Sequence, residues 1–124
     1  MDHSPGFLKL VAEAKRHVNE ISVAEARARI AANPKVVLMD VREDHEWQAG
    51  HAGEAVHLGK GILERDLEKL YPDANTEIAM YCGGGFRSAL ACDAAQRMGY
   101  KKVHSIIGGC KAMPAAGWPM KAER

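Results

Sequence analysis

The residues best suited to chemistry lie in one glycine-rich segment that runs from Cys82 to Ser88. Its order is Cys82-Gly83-Gly84-Gly85-Phe86-Arg87-Ser88, between an apolar run typical of a buried strand and a run with helical character. Three consecutive glycines cost backbone entropy, so they are expected where peptide N–H groups must turn toward a common centre. Such a loop binds anions, and the N-terminus of the next helix adds positive potential. The segment therefore predicts a Cys82 thiolate that acts as a nucleophile.

Arg87 supplies the second chemical group of the segment. Its guanidinium fork suits a tetrahedral oxyanion, so the loop predicts a pocket for an oxyanion or a second sulfur beside Cys82. The plain alternative is a glycine-rich turn in which Cys82 is only a small buried apolar residue. A dinucleotide-binding fingerprint would need glycine where Ser88 stands. A cysteine-protease dyad would need a paired histidine, and His104 lies inside a predicted strand.

The elements that must position this loop alternate between strands and helices. The predicted helices are Pro5–Val18, a segment capped by Ser22 that ends near Ala32, Asp44–Ala49, Ile62–Tyr71 and Arg87–Met98. The predicted strands are a short one from Ile21, Val36–Met39, Ala55–Leu58, Glu77–Tyr81 and Val103–Ile107. The pattern predicts a single α/β domain with a central, mostly parallel sheet of about five strands and helices on both faces. Sites of such folds lie at the carboxyl ends of the strands, here at Asp40, Cys82 and Gly108-Gly109.

The N-terminal helix is expected to be an addition to this domain. Its apolar residues share one face, which consists of Phe7, Leu10, Val11, Ala14 and Val18. We therefore divide the chain into a helical extension, residues 1–20, and the main domain, residues 21–124. A docked extension of this kind covers an apolar patch of the domain or forms a dimer contact.

Composition narrows the class of protein further. The chain has 124 residues, a net charge of +1, and 47% hydrophobic and 27% charged residues. These values fit one globular domain and give no basic block for nucleic acid or a membrane surface. The three cysteines form neither a disulfide framework nor a zinc pattern, and the six histidines are scattered. We therefore expect a cytoplasmic protein without a signal peptide, metal or cofactor.

Three separate motifs resemble the rhodanese-like sulfurtransferase family in its single-domain form. The motifs are Asp40-Val41-Arg42-Glu43 with Glu46, Trp47, Gly50 and His51; the loop Cys82–Ser88; and Gly108-Gly109 with Ala112 and Ala116-Gly117-Trp118-Pro119. The resemblance covers about residues 21 to 120. Four positions depart from the family pattern: Ala52, Gly53 and Glu54 stand where the family has Ile, Pro and Gly, and Met113 stands where tryptophan is usual.

The resemblance implies a two-step transfer of sulfur through Cys82. The thiolate takes the outer sulfur of a donor such as thiosulfate and becomes a persulfide, which a thiol or cyanide then discharges. The backbone amides of residues 83–88 would hold the persulfide, and Arg87 would hold the anionic end of the donor. A protein sulfur acceptor is a further option. Related phosphatases and arsenate reductases on this fold carry one residue more between the cysteine and the arginine, so the loop length favours sulfur transfer.

Several other residues have two interpretations each. Asp40 and Arg42 orient the active-site loop, or Arg42 forms a structural ion pair with Glu46. Cys110 is a resolving thiol for Cys82 or a bystander, and Lys60 reaches the donor anion or is solvated. His51 and Cys92 are expected to be structural.

Two other functional classes stay open at this point. The first is a sulfur-carrier or redox-sensing module that works by docking a partner. The second, disfavoured by loop length, is an arsenate reductase or phosphatase.

Overall fold

The computed structural model describes residues 3–122. Within that range the helices are Pro5–Lys15 (α1), Val23–Ala32 (α2), Asp44–Ala49 (α3), Lys60–Leu70 (α4), Phe86–Arg97 (α5) and Gly109–Ala112 (α6), with a 3-10 turn at Pro114–Ala116. The strands are Asn19–Ile21 (β1), Val37–Asp40 (β2), His51–Ala52 (β3), Val56–His57 (β4), Ile78–Tyr81 (β5), Val103–Ile106 (β6) and Met120–Lys121 (β7). Among the helices described, none has the length and apolar character that crossing a membrane requires.

Five of these strands form the predicted parallel sheet, in the order β1-β6-β5-β2-β4. The two central strands, β2 and β5, pair along their full length from Val37 opposite Ile78 to Asp40 opposite Tyr81. Their carboxyl ends therefore lie side by side, and the chain continues from them to Val41 and Cys82. The predicted fold class is confirmed, and the carboxyl ends of the two central strands lie at one edge of the sheet.

The sheet separates two hydrophobic cores. One side packs α1, α4 and α5 against the strands through residues such as Ala14, Leu63 and Ala91. The other side packs α2 and the C-terminal segment through residues such as Ala26 and Trp118. The central strands face both cores, which explains why they are continuous apolar runs without alternation.

Local sequence signals set several of the boundaries. The Ser22 hydroxyl accepts the backbone N–H of Glu25 at 3.0 Å and the Glu25 carboxylate accepts the N–H of Ser22 at 3.2 Å, so the predicted capping box starts α2. The predicted bounds of α3 are met at both ends. Asn19 and Glu20, which precede the predicted start of the first strand at Ile21, also pair in parallel with β6.

Two expectations differ from the structure, and one pair of strands was not predicted. Helix α1 ends at Lys15 rather than Val18, because the chain must leave it to enter β1. Leu10, expected on the packed face of α1, is 57% exposed, whereas Val11 and Ala14 carry the packing. Strands β3 and β7 pair in antiparallel fashion, and their two-residue length gave no periodic signal.

The loops after β5 and β6 pack tightly against each other at the carboxyl edge of the sheet. The N–H of Cys110 donates to the carbonyl of Cys82 at 2.8 Å, and the N–H of Lys111 donates to the carbonyl of Gly83 at 3.2 Å. Gly109 makes this approach possible, because a Cβ atom there would lie 2.2 Å from the Cys82 carbonyl oxygen. Its φ of 51° is also in the left-handed region that favours glycine.

We predict that Gly109→Ala destabilises the protein by about 2 kcal/mol or more, because the new methyl group forces the two loops apart and the backbone is strained. Gly84→Ala is the matched control, since nothing lies within 4 Å of a Cβ at Gly84 and its φ is ordinary. Urea unfolding of both variants measures the difference in the free energy of unfolding. Equal losses in the two variants would contradict the tight approach at Gly109.

Candidate functional site

The sulfur of Cys82 lies at the centre of the loop between β5 and α5. Cys82 is only 1% exposed, and its Sγ accepts the backbone N–H groups of Gly85 at 3.1 Å and of Ser88 at 3.4 Å. Peptide amides, rather than carbonyls, therefore point at the sulfur. Amide donors of this kind favour a negatively charged sulfur over a neutral one.

The loop carbonyls are kept away from the sulfur by the segment that follows β6. The carbonyls of Cys82 and Gly83 are both occupied as acceptors for backbone N–H groups of α6. Gly85 then turns the chain into α5 with a φ of 97°, and a Cβ there would lie 3.3 Å from the backbone nitrogen of Gly108. The glycine at this position is thus required both by the left-handed turn and by the neighbouring backbone.

A pair of buried hydroxyl groups completes the surroundings of the sulfur. The Oγ of Ser88 lies 3.6 Å from the Sγ of Cys82 and 2.8 Å from the Oγ of Ser105. Both serines are fully buried. When the sulfur is a thiolate, Ser88 is able to donate to it while Ser105 donates to Ser88. Ser105 was not predicted to lie beside Cys82; the available signal is a serine within a strand that is predicted to be buried.

Arg87 is held in a two-pronged ion pair with Glu46 of α3. Its Nη1 and Nη2 atoms donate to the two carboxylate oxygens of Glu46 at 2.6 and 3.0 Å. These hydrogen bonds, opposed in part by burial, lower the pKa of Glu46 to about 2, and the same pair raises the pKa of Arg87. The arginine therefore presents its remaining N–H groups in a fixed orientation, with its charge balanced by a carboxylate.

Asp40 and Arg42 form a buried support for α3 at the end of β2. The Nη2 of Arg42 donates to Asp40 at 2.8 Å and to the carbonyl of Gly50 at 2.6 Å. Gly50 ends α3, the helix that carries Glu46. The expected alternative pair between Arg42 and Glu46 is wrong, because each takes a different partner. Asp40 and Arg42 thus connect to Arg87 through α3 rather than by contact with Cys82.

Cys82 lines a cavity of about 400 Å³. Its lining residues are His3, Phe7, Glu46, Cys82, Gly83, Gly84, Phe86, Arg87 and Lys111. Three of the rings that line it, which we call the aromatic rim, are in contact with one another: His3 and Phe7 from the N-terminal segment and Phe86 from α5. The rim and Lys111 were not predicted; the only sequence signal for Lys111 is its place directly after the Gly108-Gly109 motif and Cys110.

Other candidate residues lie outside this cavity. Lys60 lines a separate cavity with Leu10 of α1. The His104 ring is engaged by the side chains of Asn19 at 2.6 Å and Glu77 at 2.8 Å, so it does not serve as the partner of a protease-type cysteine. His51 is buried and stacks on Trp47 with ring centroids 3.4 Å apart.

The two remaining cysteines differ in burial. Cys92 is fully buried in the core and Cys110 is partly buried, and burial raises the pKa of both thiols. Cys110 touches the loop through its backbone, so a resolving role for its thiol stays a prediction. Among the residues described, no group of three or more His, Cys, Asp or Glu side chains could hold a metal ion.

Comparison with known proteins places this arrangement in a family. The family model described as rhodanese-like domain matches residues 22–116. YtwF of Bacillus subtilis, provisionally assigned as a sulfurtransferase, is 35% identical over 95 residues, which cover 77% of this chain and 89% of YtwF. A sulfurtransferase of Allochromatium vinosum is 30% identical over 105 residues, covering 85% of this chain and 96% of that protein.

A solved structure extends the similarity to the N-terminal helix. A protein from Rhodopseudomonas palustris, described as of unknown function and a possible tyrosine phosphatase, matches with a TM-score of 0.84 and 28% identity. The match covers 98% of each chain, so α1 is part of the shared architecture. The family match covers most of the chain, includes the whole Cys82 loop and agrees with the sulfurtransferase relatives. The chain belongs to the rhodanese-like domain family, as its motifs predict.

Proposed function

We propose that the chain is a sulfurtransferase that moves sulfane sulfur from a donor such as thiosulfate to a thiol or cyanide acceptor through a persulfide on Cys82. The observation that carries this proposal is the pair of backbone N–H groups, from Gly85 and Ser88, that donate to Sγ at the base of an open cavity. A sulfur held this way is suited to negative charge before the reaction and after it.

In the first half-reaction the Cys82 thiolate attacks the outer sulfur of the donor. A bond forms between Sγ and that sulfur, and the bond to the sulfonate sulfur breaks, so that sulfite leaves with the electron pair. In the second half-reaction a thiolate or cyanide attacks the outer sulfur of the persulfide, and Sγ leaves as a thiolate. No external electron donor or cofactor is needed in either step.

In this scheme, different groups of the loop bind the persulfide and the anionic end of the donor. The amides of Gly83, Gly84, Gly85, Phe86, Arg87 and Ser88 hold the persulfide. The guanidinium of Arg87, oriented by Glu46, meets the anionic end of the donor with its free N–H groups. Asp40 and Arg42 act as positioning residues by fixing α3.

The cysteines and the position of α1 support two further parts of the proposal, the compartment and the division of the chain. All three thiols are free, which suits a reducing compartment, and we place the activity in the cytoplasm. We propose that residues 1–20 are an extension of a domain spanning residues 21–124, because α1 packs on α5 ahead of the family match. The acceptor is a small thiol, cyanide or a protein thiol.

We predict that thiosulfate adds one sulfur atom to the wild-type protein and to Cys110→Ala, but none to Cys82→Ser, because only Cys82 receives the amide donors. Intact-protein mass spectrometry after removal of excess donor measures the adduct, and thiocyanate formation from cyanide measures its transfer. Loading that persists in Cys82→Ser would overturn the assignment. Turnover of an aryl phosphate that is lost in Cys82→Ser, without sulfur loading, would instead favour a phosphatase.

Removing the Ser88 hydroxyl is expected to slow persulfide formation by about tenfold, because a hydrogen bond to a charged group is lost. Ser105→Ala is expected to have a smaller effect of the same sign, since it only orients Ser88. Rapid-quench mixing with thiosulfate, followed by mass spectrometry, measures the rate of persulfide formation. Ser22→Ala, which removes the cap of α2, is the control for stability alone, and it should leave the loading rate unchanged. A loading rate in Ser88→Ala equal to wild type would remove Ser88 from the mechanism.

We predict that the pair between Glu46 and Arg87 contributes stability above the ordinary glutamate pKa of 4.5, and that this contribution is lost as the pH falls toward the folded value of about 2. The sign follows because the carboxylate is the form that Arg87 binds. Urea unfolding of wild type and Glu46→Gln at about pH 6 and about pH 3 measures the difference. Glu64→Gln, an exposed change on α4, is the matched control. A gap between wild type and Glu46→Gln that is the same at both pH values would show that the pair does not titrate as described.

A further inference from the structure

The aromatic rim is built largely by residues outside the family match. His3 and Phe7 belong to the N-terminal segment, whereas the rhodanese-like match begins at residue 22. The segment is held in place by α1, whose Val11 and Ala14 are 4% and 2% exposed in contact with the domain. The mouth of this cavity is therefore shaped by an element that the matched domain alone does not contain.

The three rings of the rim are close enough to act as one surface. The His3 centroid lies 4.9 Å from that of Phe86 and 5.2 Å from that of Phe7, and the two phenylalanines are 6.2 Å apart. These separations fall in the range of favourable aromatic contacts. Phe7 and Phe86 are only half-buried, so part of each ring still faces the cavity.

The charge of the cavity is modest. Arg87 shares its charge with the carboxylate of Glu46, and both side chains line the cavity. Lys111 adds a further positive charge at the mouth. A doubly charged inorganic donor would gain from the loop amides and Lys111 but would leave the rings without a contact. A singly charged donor with an aromatic or apolar group would use both features.

We propose that the aromatic rim selects organic sulfur donors, namely thiosulfonates or persulfides that carry an aromatic or apolar group, over inorganic thiosulfate. This inference rests on the proposed sulfur transfer and names the substrate class of the same site. The apolar group packs against Phe7 and Phe86 while the anionic sulfur group meets the amides and Lys111.

The transfer of sulfur from an arenethiosulfonate to Cys82 balances in atoms, electrons and charge. The Cys82 thiolate attacks the outer sulfur, a bond forms between it and Sγ, and the bond to the sulfonyl sulfur breaks. The electron pair leaves with an arenesulfinate, so one anion replaces another and no proton, oxidant or reductant is consumed. The persulfide on Cys82 is the same as that formed from thiosulfate, which allows the two donors to be compared directly.

The test compares kcat/KM for benzenethiosulfonate with kcat/KM for thiosulfate, using cyanide as the common acceptor. We expect the ratio of the two values to fall by about threefold to tenfold in Phe7→Ala, because the contact of one aromatic ring is lost. Leu8→Ala is the matched control, since Leu8 is 42% exposed on the same helix and does not line the cavity. Its ratio should equal that of wild type. In Phe7→Leu, which keeps an apolar side chain to dock α1, the ratio should also fall, but by less than in Phe7→Ala.

The outcomes separate the inference from the proposed function. If wild type forms a persulfide with both donors but the ratio in Phe7→Ala and Phe7→Leu stays within threefold of wild type, the inference is overturned and sulfur transfer stands. If wild type forms no persulfide with either donor, both are overturned. A fall in the ratio of the same size in Leu8→Ala would also overturn the inference, because it would show a general effect of disturbing α1.

Discussion

The structure of the site depends on which backbone groups of one loop face inward. In the segment after β5 the carbonyls of Cys82 and Gly83 are taken as acceptors by α6, and the N–H groups of Gly85 and Ser88 are left to face the sulfur. This division is possible only because Gly109 lets two backbones approach closely. The parallel sheet serves this contact by ending β5 and β6 side by side. The environment of the Cys82 sulfur is thus set by backbone packing rather than by charged side chains.

A second set of interactions fixes the cationic side of the cavity. The buried pair of Asp40 and Arg42 holds the end of α3, α3 presents Glu46, and Glu46 holds both prongs of Arg87. An arginine on a glycine-rich loop would otherwise sample many rotamers and would have to be ordered by each incoming donor. The three-step connection orders the side chain in advance, although Glu46 also reduces the net positive charge beside the cavity.

Much of this architecture could be predicted from the sequence. The apolar runs of β2 and β5, the capping box at Ser22 and the glycine-rich loop are local signals, and each of them led to the right structural element. The partner of Glu46 could not be predicted, because spacing along the chain favours a local pair with Arg42, whereas the fold supplies Arg87, which lies 41 residues away. The contact of His3 and Phe7 with Phe86 joins residues that are far apart in the sequence, so no local pattern predicts it. Leu10 shows the same limit, since helical periodicity does not tell which part of an apolar face the domain will cover.

The depth of the sulfur has a consequence for how sulfur can leave the protein. Cys82 is 1% exposed and lines the cavity that is bordered by the aromatic rim. A persulfide formed there would project one atom further out, yet a flat protein surface could not touch it. A macromolecular acceptor would have to offer its thiol on a slender terminus or a protruding loop that threads past Phe7 and Phe86. The length and width of the acceptor segment, as well as the reactivity of its thiol, would then decide which molecules can accept the sulfur atom.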